Sequence, residues 1–469
     1  MEFLEWDAVE LSEALAAGRL SVVEVMRATL AKIEAVNGAV NAVVSLRDEE
    51  DLLAEARAAD AAPRRGWLHG IPMAVKDLAN AEGLPTSQGS PLFAGKIAQH
   101  DDIPVARLRA AGALIIGKTN TPEFGLGSHT FNPVHGPTCN PYDLTRSAGG
   151  SSGGAAAALA ARMLCVADGS DMMGSLRNPA GWNNVFGMRP TWGTVPGDPS
   201  GDLFMHQLST LGPMARSPRD LAALGDVMRG ADPRLPLSRD GAGLAAALTG
   251  DLPRQRLGWL GDWGGAFPCE AGILAQSEAA LRQMADLGHE VTEVSAPFDA
   301  DAMWESWTTL RSFAVAASLG SIYDDPARRE YLKPAAQWEV ARGQGYGASD
   351  IERASSIRSD WFRAAMTAFD RVDVLVLPSA QVWPFDVQQE HPTKIVGRDM
   401  DSYHRWMQVV VPASLIGLPV VNVPAGFSED GLPLGLQLIG KRGSDARLLQ
   451  LAEDWHLATG WPQAHPPKL

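Results

Sequence analysis

Apolar residues fall along the chain in two patterns, helical stretches and short unbroken runs, and the two alternate. Ser21-Val22-Val23-Glu24 fits a capping box and opens a helix that runs to Asn37-Gly38, a C-terminal signal. A second helical stretch, Glu49 to Ala62, is alanine-rich and charged. Ile71 to Val75, Ala113 to Ile116 and Met163 to Ala167 read as short buried strands. The first of these leaves Lys76 at a strand's C-terminal end. Ala155 to Arg162 reads as a helix opened by the glycines before it. Asn178 then Pro179 marks the start of another helix just after Ser175.

Further along, Leu257 to Leu260, Glu270 to Leu287 and Glu290 to Val294 suggest a β-α-β unit. Late strands are expected at Val372 to Leu377, Leu418 to Val423 and Leu434 to Ile439. Continuous apolar strands between helices favour an α/β fold with a central mixed, mainly parallel sheet. Asp232 to Gly250 turns to Pro, Gly and Ala and reads as a linker, with strand signals on both sides.

Composition adds bounds. The chain has 469 residues, 45% of them hydrophobic and 20% charged, which is ordinary globular composition. A net charge of −15 argues against nonspecific nucleic-acid binding and against anionic membranes. Cys139, Cys165 and Cys269 are widely spaced and odd in number, which suits reduced thiols in a cytoplasmic protein. The first residues are acidic, with no basic region leading into an apolar run, and no run is long enough to span a bilayer.

Candidate chemistry concentrates in three segments. Two carry serine among glycines: Gly149-Gly150-Ser151-Ser152-Gly153-Gly154 and Gly169-Ser170-Asp171-Met172-Met173-Gly174-Ser175. Glycine lets backbone amides approach a reacting atom, and serine supplies a nucleophile or a proton carrier. The third, Gly70-Ile71-Pro72-Met73-Ala74-Val75-Lys76-Asp77, offers a lysine as base, although Asp77 beside it is a ready ion-pair partner.

Rival explanations are weaker. Gly149 to Gly153 satisfies G-x-S-x-G, but a turn-rich segment rather than a strand precedes it. No Gly-Lys-Ser/Thr follows the glycines, as a phosphate loop requires. The ten histidines show no metal-ligand spacing. Taken alone, Gly149 to Gly154 also fits a flexible turn.

Read together, the segments resemble the amidase signature family of serine hydrolases. The resemblance runs through Gly70 to Asp77, Gly117-Lys118-Thr119-Asn120-Thr121-Pro122-Glu123-Phe124, Asn140-Pro141-Tyr142-Asp143 and Gly149 to Gly154. It continues through Gly174-Ser175-Leu176-Arg177-Asn178-Pro179-Ala180 and Gly212-Pro213-Met214-Ala215-Arg216. It returns at Gly417-Leu418-Pro419 and at Leu432 to Gly440.

The resemblance implies one amidase signature domain over 1–469, with a twisted sheet covered by helices on both faces. Within it, 1–65 is an N-terminal helical region. Residues 66–228 and 372–469 form the catalytic core, and 229–371 is a variable, substrate-shaping region. It implies an amidohydrolase that cleaves a linear or cyclic amide through an acyl-enzyme. Ser175 is then the nucleophile, Ser151 the proton relay after a cis peptide bond, and Lys76 the base. A lysine works as base only when neutral, so burial has to lower its pKa. The backbone amides of Met172, Met173 and Gly174 are the implied oxyanion hole. Gly150 permits a tight loop, Ser152 supports it, and Asp171 and Arg177 orient the nucleophile turn.

No cofactor and no metal is implied. The partner is a small-molecule amide, with no nucleic acid and no membrane; dimers are common in the family, so a homodimer stays open. Two alternatives are the amidase subunit of a tRNA-dependent amidotransferase and a catalytically silent member. Two departures stand out. The family commonly has Asp-Thr-Gly-Gly-Ser where this chain has Asp171-Met172-Met173-Gly174-Ser175. Met173 at a glycine position implies ordinary φ values there, and the methionines either pack in the core or face the substrate. Trp182-Asn183-Asn184 stands where smaller residues are usual, as packing or as pocket lining. Trp304, Trp307, Tyr323 and Trp338 are core aromatics or an apolar wall.

Overall fold

A computed structural model describes residues 2–469. Its centre is an eight-stranded sheet in the order Glu290–Glu293, Arg256–Trp259, Val374–Pro378, Pro433–Ile439, Val420–Phe427, Phe186–Arg189, Thr210–Ala215 and Val166–Asp171. Apolar clusters cover both faces. On one side Val374, Val376, Val421, Val423, Leu436 and Leu438 pack with helices Ile273–Asp286 and Asp445–Thr459. On the other, Leu375, Leu377, Val420 and Ile439 pack with helices Ala300–Tyr323 and Ala348–Ala368.

The mixed α/β sheet is the expected one, but the emphasis on parallel pairing is not. Only the pairings at the Glu290–Glu293, Arg256–Trp259 and Val374–Pro378 end are parallel. The other five are antiparallel. The apolar runs arise because both faces are covered, and that demand is the same whichever way a strand runs. The β-α-β unit at 256–293 supplies one of the two parallel pairs.

A second sheet of three strands, in the order Val43–Val44, Leu114–Thr119, Pro72–Lys76, lies beside the edge strand Val166–Asp171. Lys76 is the last residue of its strand. The Lys76 backbone N–H donates to Asp168 Oδ1 at 2.9 Å and so ties the two sheets together.

Most expected elements are present with shifted ends. The capping box forms: Ser21 Oγ accepts from the Glu24 N–H at 3.2 Å, and Glu24 Oε2 accepts from the Ser21 N–H at 2.8 Å. The helix then runs Val22–Val40, past Asn37-Gly38, and Asn41 closes it with a φ of 54°. Asn37 instead turns its side chain to the next strand. Its Oδ1 accepts from the Ala42 and Val43 N–H groups, both at 2.9 Å. The strand expected at Met163 to Ala167 is Val166–Asp171, which carries the second serine-rich stretch into the sheet. The helix expected at Ala155 begins at Gly153, and the one marked by Asn178-Pro179 begins at Arg177.

Candidate active site

Lys76 is buried, and its ammonium is ringed by hydroxyls. Nζ donates to Ser151 Oγ at 2.7 Å, to Ser152 Oγ at 2.9 Å and to Ser170 Oγ at 2.9 Å. Three elements supply this ring: the end of Pro72–Lys76, the loop leading into helix Gly153–Ala160, and strand Val166–Asp171. The loop is held close. A Cβ at Gly153 would stand 2.3 Å from Thr130 Oγ1, the same atom that accepts the Gly153 N–H at 3.2 Å. The Gly150-Ser151 peptide bond is cis. Burial pushes the Lys76 ammonium down to about 7, against the upward pull of Asp168 and Asp171. Burial also pushes the Asp168 carboxyl up, with the Lys76 N–H and the Lys118 charge opposing.

Ser175 follows on a turn built around Asp171. Asp171 Oδ1 accepts from the Gly174 N–H at 2.9 Å, and Oδ2 accepts from the Leu176 N–H at 3.2 Å. Arg177 reaches both carboxylate oxygens at 2.9 Å, and Arg189 Nη1 lies 3.0 Å from Oδ1. All three charged groups are fully buried. Burial alone would raise the Asp171 carboxyl, but the Arg177 and Arg189 charges hold it far below the usual carboxylate range. Arg177 also donates to Ser414 Oγ, Gln437 Oε1 and the Val410 carbonyl, so the turn is pinned to two distant segments.

The only positive φ in the turn is at Gly174, 80°; Met172 and Met173 have ordinary values. The Ser175 carbonyl accepts from the Ser152 N–H at 3.3 Å. Ser175, Ser151 and Ser170 open into one cavity of about 180 Å³, whose other wall is the 311–319 face of helix Ala300–Tyr323.

A hydroxyl-ringed lysine beside a further serine does not by itself name a family, so similarity decides it. The Amidase family profile matches residues 24–449. An acylamidase of Rhodococcus erythropolis is 33% identical over 99% of this chain and 98% of its own. The chain belongs to the amidase signature family. A glutamyl-tRNA(Gln) amidotransferase subunit of Thermus thermophilus is 36% identical over 96% of this chain and 97% of its own. Among solved structures, a bacterial aryl acylamidase of the amidase signature family superposes with a TM-score of 0.91. It has 27% identity and covers 98% of this chain and 99% of that one. The 6-aminohexanoate cyclic dimer hydrolase gives 0.89, with 28% identity and 99% of each chain covered. Amide hydrolysis is the general activity that this membership supports. Among the described residues no helix is long and apolar enough to cross a membrane.

Within this amidase, the structure brings Lys76, Ser151, Ser152, Asp171, Ser175 and Arg177 together, with two differences from expectation. Asp77 does not pair with Lys76. It lies 3.9 Å from Lys118 and 3.8 Å from His135, because the chain turns after Lys76 and sends the next side chain away. The Gly174 N–H is engaged by Asp171, whereas the Met173 and Ser175 N–H groups have no protein acceptor among the described residues. Trp182-Asn183-Asn184 is packing: Trp182 stacks on Trp406 at 5.8 Å. Asn183 donates to the Ala148 and Pro179 carbonyls. The two methionines divide. Met173 is buried in the core and Met172 is half-buried, and both reach the cavity wall. Trp304 and Trp307 are core residues; Trp338 is exposed.

Sequence reasoning missed Ser170, Asp168, Arg189 and Arg311. Ser170 stood in a quoted motif, and its two-residue offset from Asp168 along a strand was the usable signal. Arg189 and Arg311 carry no local signal, since their partners lie 18 and 28 residues away.

Proposed function

We propose that the protein is a serine amidohydrolase that cleaves a small carboxylic amide through an acyl-enzyme. One observation carries this reading: a buried lysine, its ammonium lowered to about 7, hydrogen-bonds Ser151 at 2.7 Å in the cavity that Ser175 lines. A serine hydroxyl attacks only when its proton is removed, and a lysine neutral near pH 7 can take it. Ser151 stands against that lysine and opens into the same cavity as Ser175, so it is suited to pass the proton between them. Ser175 Oγ bonds to the amide carbonyl carbon, and its proton moves by way of Ser151 to Lys76. The same path returns a proton to the leaving nitrogen as the C–N bond breaks. Water then repeats the sequence on the ester and releases the acid.

The developing oxyanion is assigned to backbone N–H groups of the 172–175 turn. The Met172, Met173 and Ser175 amides have no protein acceptor among the described residues, and the Gly174 amide is shared with Asp171. Ser152 and Ser170 hold the lysine, while Asp171 and Arg177 hold the turn. No step requires a cofactor.

The relatives that are amidotransferase subunits favour a second reading, in which ammonia is passed to a partner protein. A fluorophosphonate probe separates a working nucleophile from a silent scaffold. Labelling of the wild type at Ser175, lost in Ser175→Ala, is expected; no labelling sinks the catalytic reading. Glutamine as preferred substrate, with a co-purifying partner, would move the assignment to the amidotransferase.

A further inference from the structure

The cavity that holds Ser175 has one charged side chain in its wall. Arg311 projects from helix Ala300–Tyr323 and is 3% exposed. Two of its three nitrogens are satisfied: Nε donates to Glu339 Oε1 at 2.7 Å, and Nη2 donates to Tyr403 Oη at 2.7 Å. The support is rigid, since Tyr403 Oη in turn donates to Glu339 Oε1 at 2.8 Å and Ser312 Oγ donates to Glu339 Oε2. The third nitrogen, Nη1, meets only the Met172 thioether, 3.4 Å away.

Sulfur is a weak acceptor, and a guanidinium carries N–H groups that call for oxygen. The rest of the wall is uncharged: Leu78, Phe124, Leu126, Val315 and Leu319 are apolar, and Gln88, Ser209 and Ser318 add neutral polar groups. A charged, oriented donor in a small chamber whose other polar groups are uncharged fixes the position of one oxygen. Met172 stands where a threonine is usual, so the residue closest to Nη1 is also one of the chain's departures from its family. A threonine hydroxyl could accept a hydrogen bond well; the methionine leaves the donor to the ligand.

Resting on the amidohydrolase reading, we infer that Arg311 Nη1 is a specificity-determining donor for an oxygen acceptor, carbonyl or carboxylate, on the substrate away from the scissile amide. Met172 backs the guanidinium and leaves that donor open. The preferred substrates are amides whose apolar body ends in such an oxygen.

The test uses matched anilides on the full-length enzyme. Glutaryl, 5-oxohexanoyl and 5-methylhexanoyl anilides place a carboxylate, a ketone and an isosteric methyl group at the same distance from the amide. A second set places carboxylate, acetyl and isopropyl groups on the aniline ring. In the wild type an oxygen-bearing member of one set is expected to exceed its isostere in kcat/KM by about 10- to 100-fold, as a charge-assisted hydrogen bond allows. The carboxylate and ketone arms tell which oxygen is taken.

In Arg311→Met this ratio is expected to fall toward one. Arg311→Met/Glu339→Gln removes both charges and repeats the test if the single variant does not fold. Equal rates for oxygen-bearing and methyl members of both sets in the wild type overturn the inference, as does a ratio that survives in either variant. If no anilide is cleaved, fluorophosphonate labelling of Ser175 tells whether the amidohydrolase reading itself has failed. Calorimetry on Ser175→Ala then decides: equal affinity for 5-oxohexanamide and 5-methylhexanamide overturns the inference on its own.

Discussion

Asp171 Oδ1 accepts the N–H of Gly174, three residues ahead of it, at 2.9 Å, and this bond sets the turn that presents Ser175. The carboxylate is shared with Arg177 and Arg189 in a site closed to solvent. Asp171→Asn keeps the shape but strands two buried guanidinium groups. The expected loss is about 3–5 kcal/mol of unfolding free energy, the usual result of removing one partner from a buried ionic group. Because its native pKa is depressed, the contribution of Asp171 is present at neutral pH and is lost only as pH falls through the acidic range. Urea titrations at pH 7 compare the variant with the wild type. A change under about 1 kcal/mol would show that the turn does not depend on the carboxylate.

Gly174→Ala is expected to disable the turn for a different reason. Its φ is 80°, and an added Cβ would lie 2.9 Å from both γ-carbons of Val410. A left-handed alanine is strained, and the donors beside it are displaced. Loss of one well-placed oxyanion donor costs about 100- to 1,000-fold in kcat. Met173→Leu, by contrast, keeps the buried volume and the ordinary φ of that position and is expected to leave kcat within about tenfold. Steady-state kinetics on one good anilide compares the two, and similar effects would refute the role given to the left-handed glycine.

Ser175→Ala is expected to lower kcat by about 1,000-fold or more, as for other serine hydrolases that lose their nucleophile. Turnover within tenfold of the wild type would transfer the role to another hydroxyl, with Ser151 the first to examine.

Lys76 gives two linked pH effects. In the proposed role of base it acts when neutral, so kcat/KM is expected to rise with pH through about 7 and to fall away below it. In stability the sign is set by the unfolded chain, where a lysine keeps its proton up to about pH 10.4. Between about 7 and 10.4 the unfolded state binds more protons, so stability conferred by this site rises with pH. The difference in unfolding free energy between wild type and Lys76→Met is therefore expected to climb by about 1.4 kcal/mol per pH unit over that window. A flat difference would mean that the lysine is charged in the folded protein.

The parts of the site legible in sequence are those whose geometry is local. Lys76 ends a buried strand, and Ser151 and Ser175 sit in glycine-rich turns, so residue type and spacing were enough to mark them. The groups that hold them were hidden. Asp168 reaches the Lys76 backbone from 92 residues away, and Arg189 reaches Asp171 only because two sheet strands bring them level. Arg311 stands in the 229–371 stretch, where no motif marked a residue. In the fold, apolar runs told which strands are buried but not which way they run, and Asn37 looked like a helix end because its side chain does cap backbone, only that of the following strand.

The lysine and the turn that bears Ser175 grow from different sheets. Pro72–Lys76 belongs to the three-stranded sheet and Val166–Asp171 to the edge of the eight-stranded one, with no ladder between them. Their mutual position is held by side chains, chiefly Asp168 on the Lys76 backbone and Ser170 on its ammonium. Catalysis is thus a vernier for a seam that backbone pairing does not lock. Denaturant too dilute to melt either sheet is expected to silence the enzyme while circular dichroism still reports native structure. Coincident loss of both signals would show the two sheets to be one cooperative body.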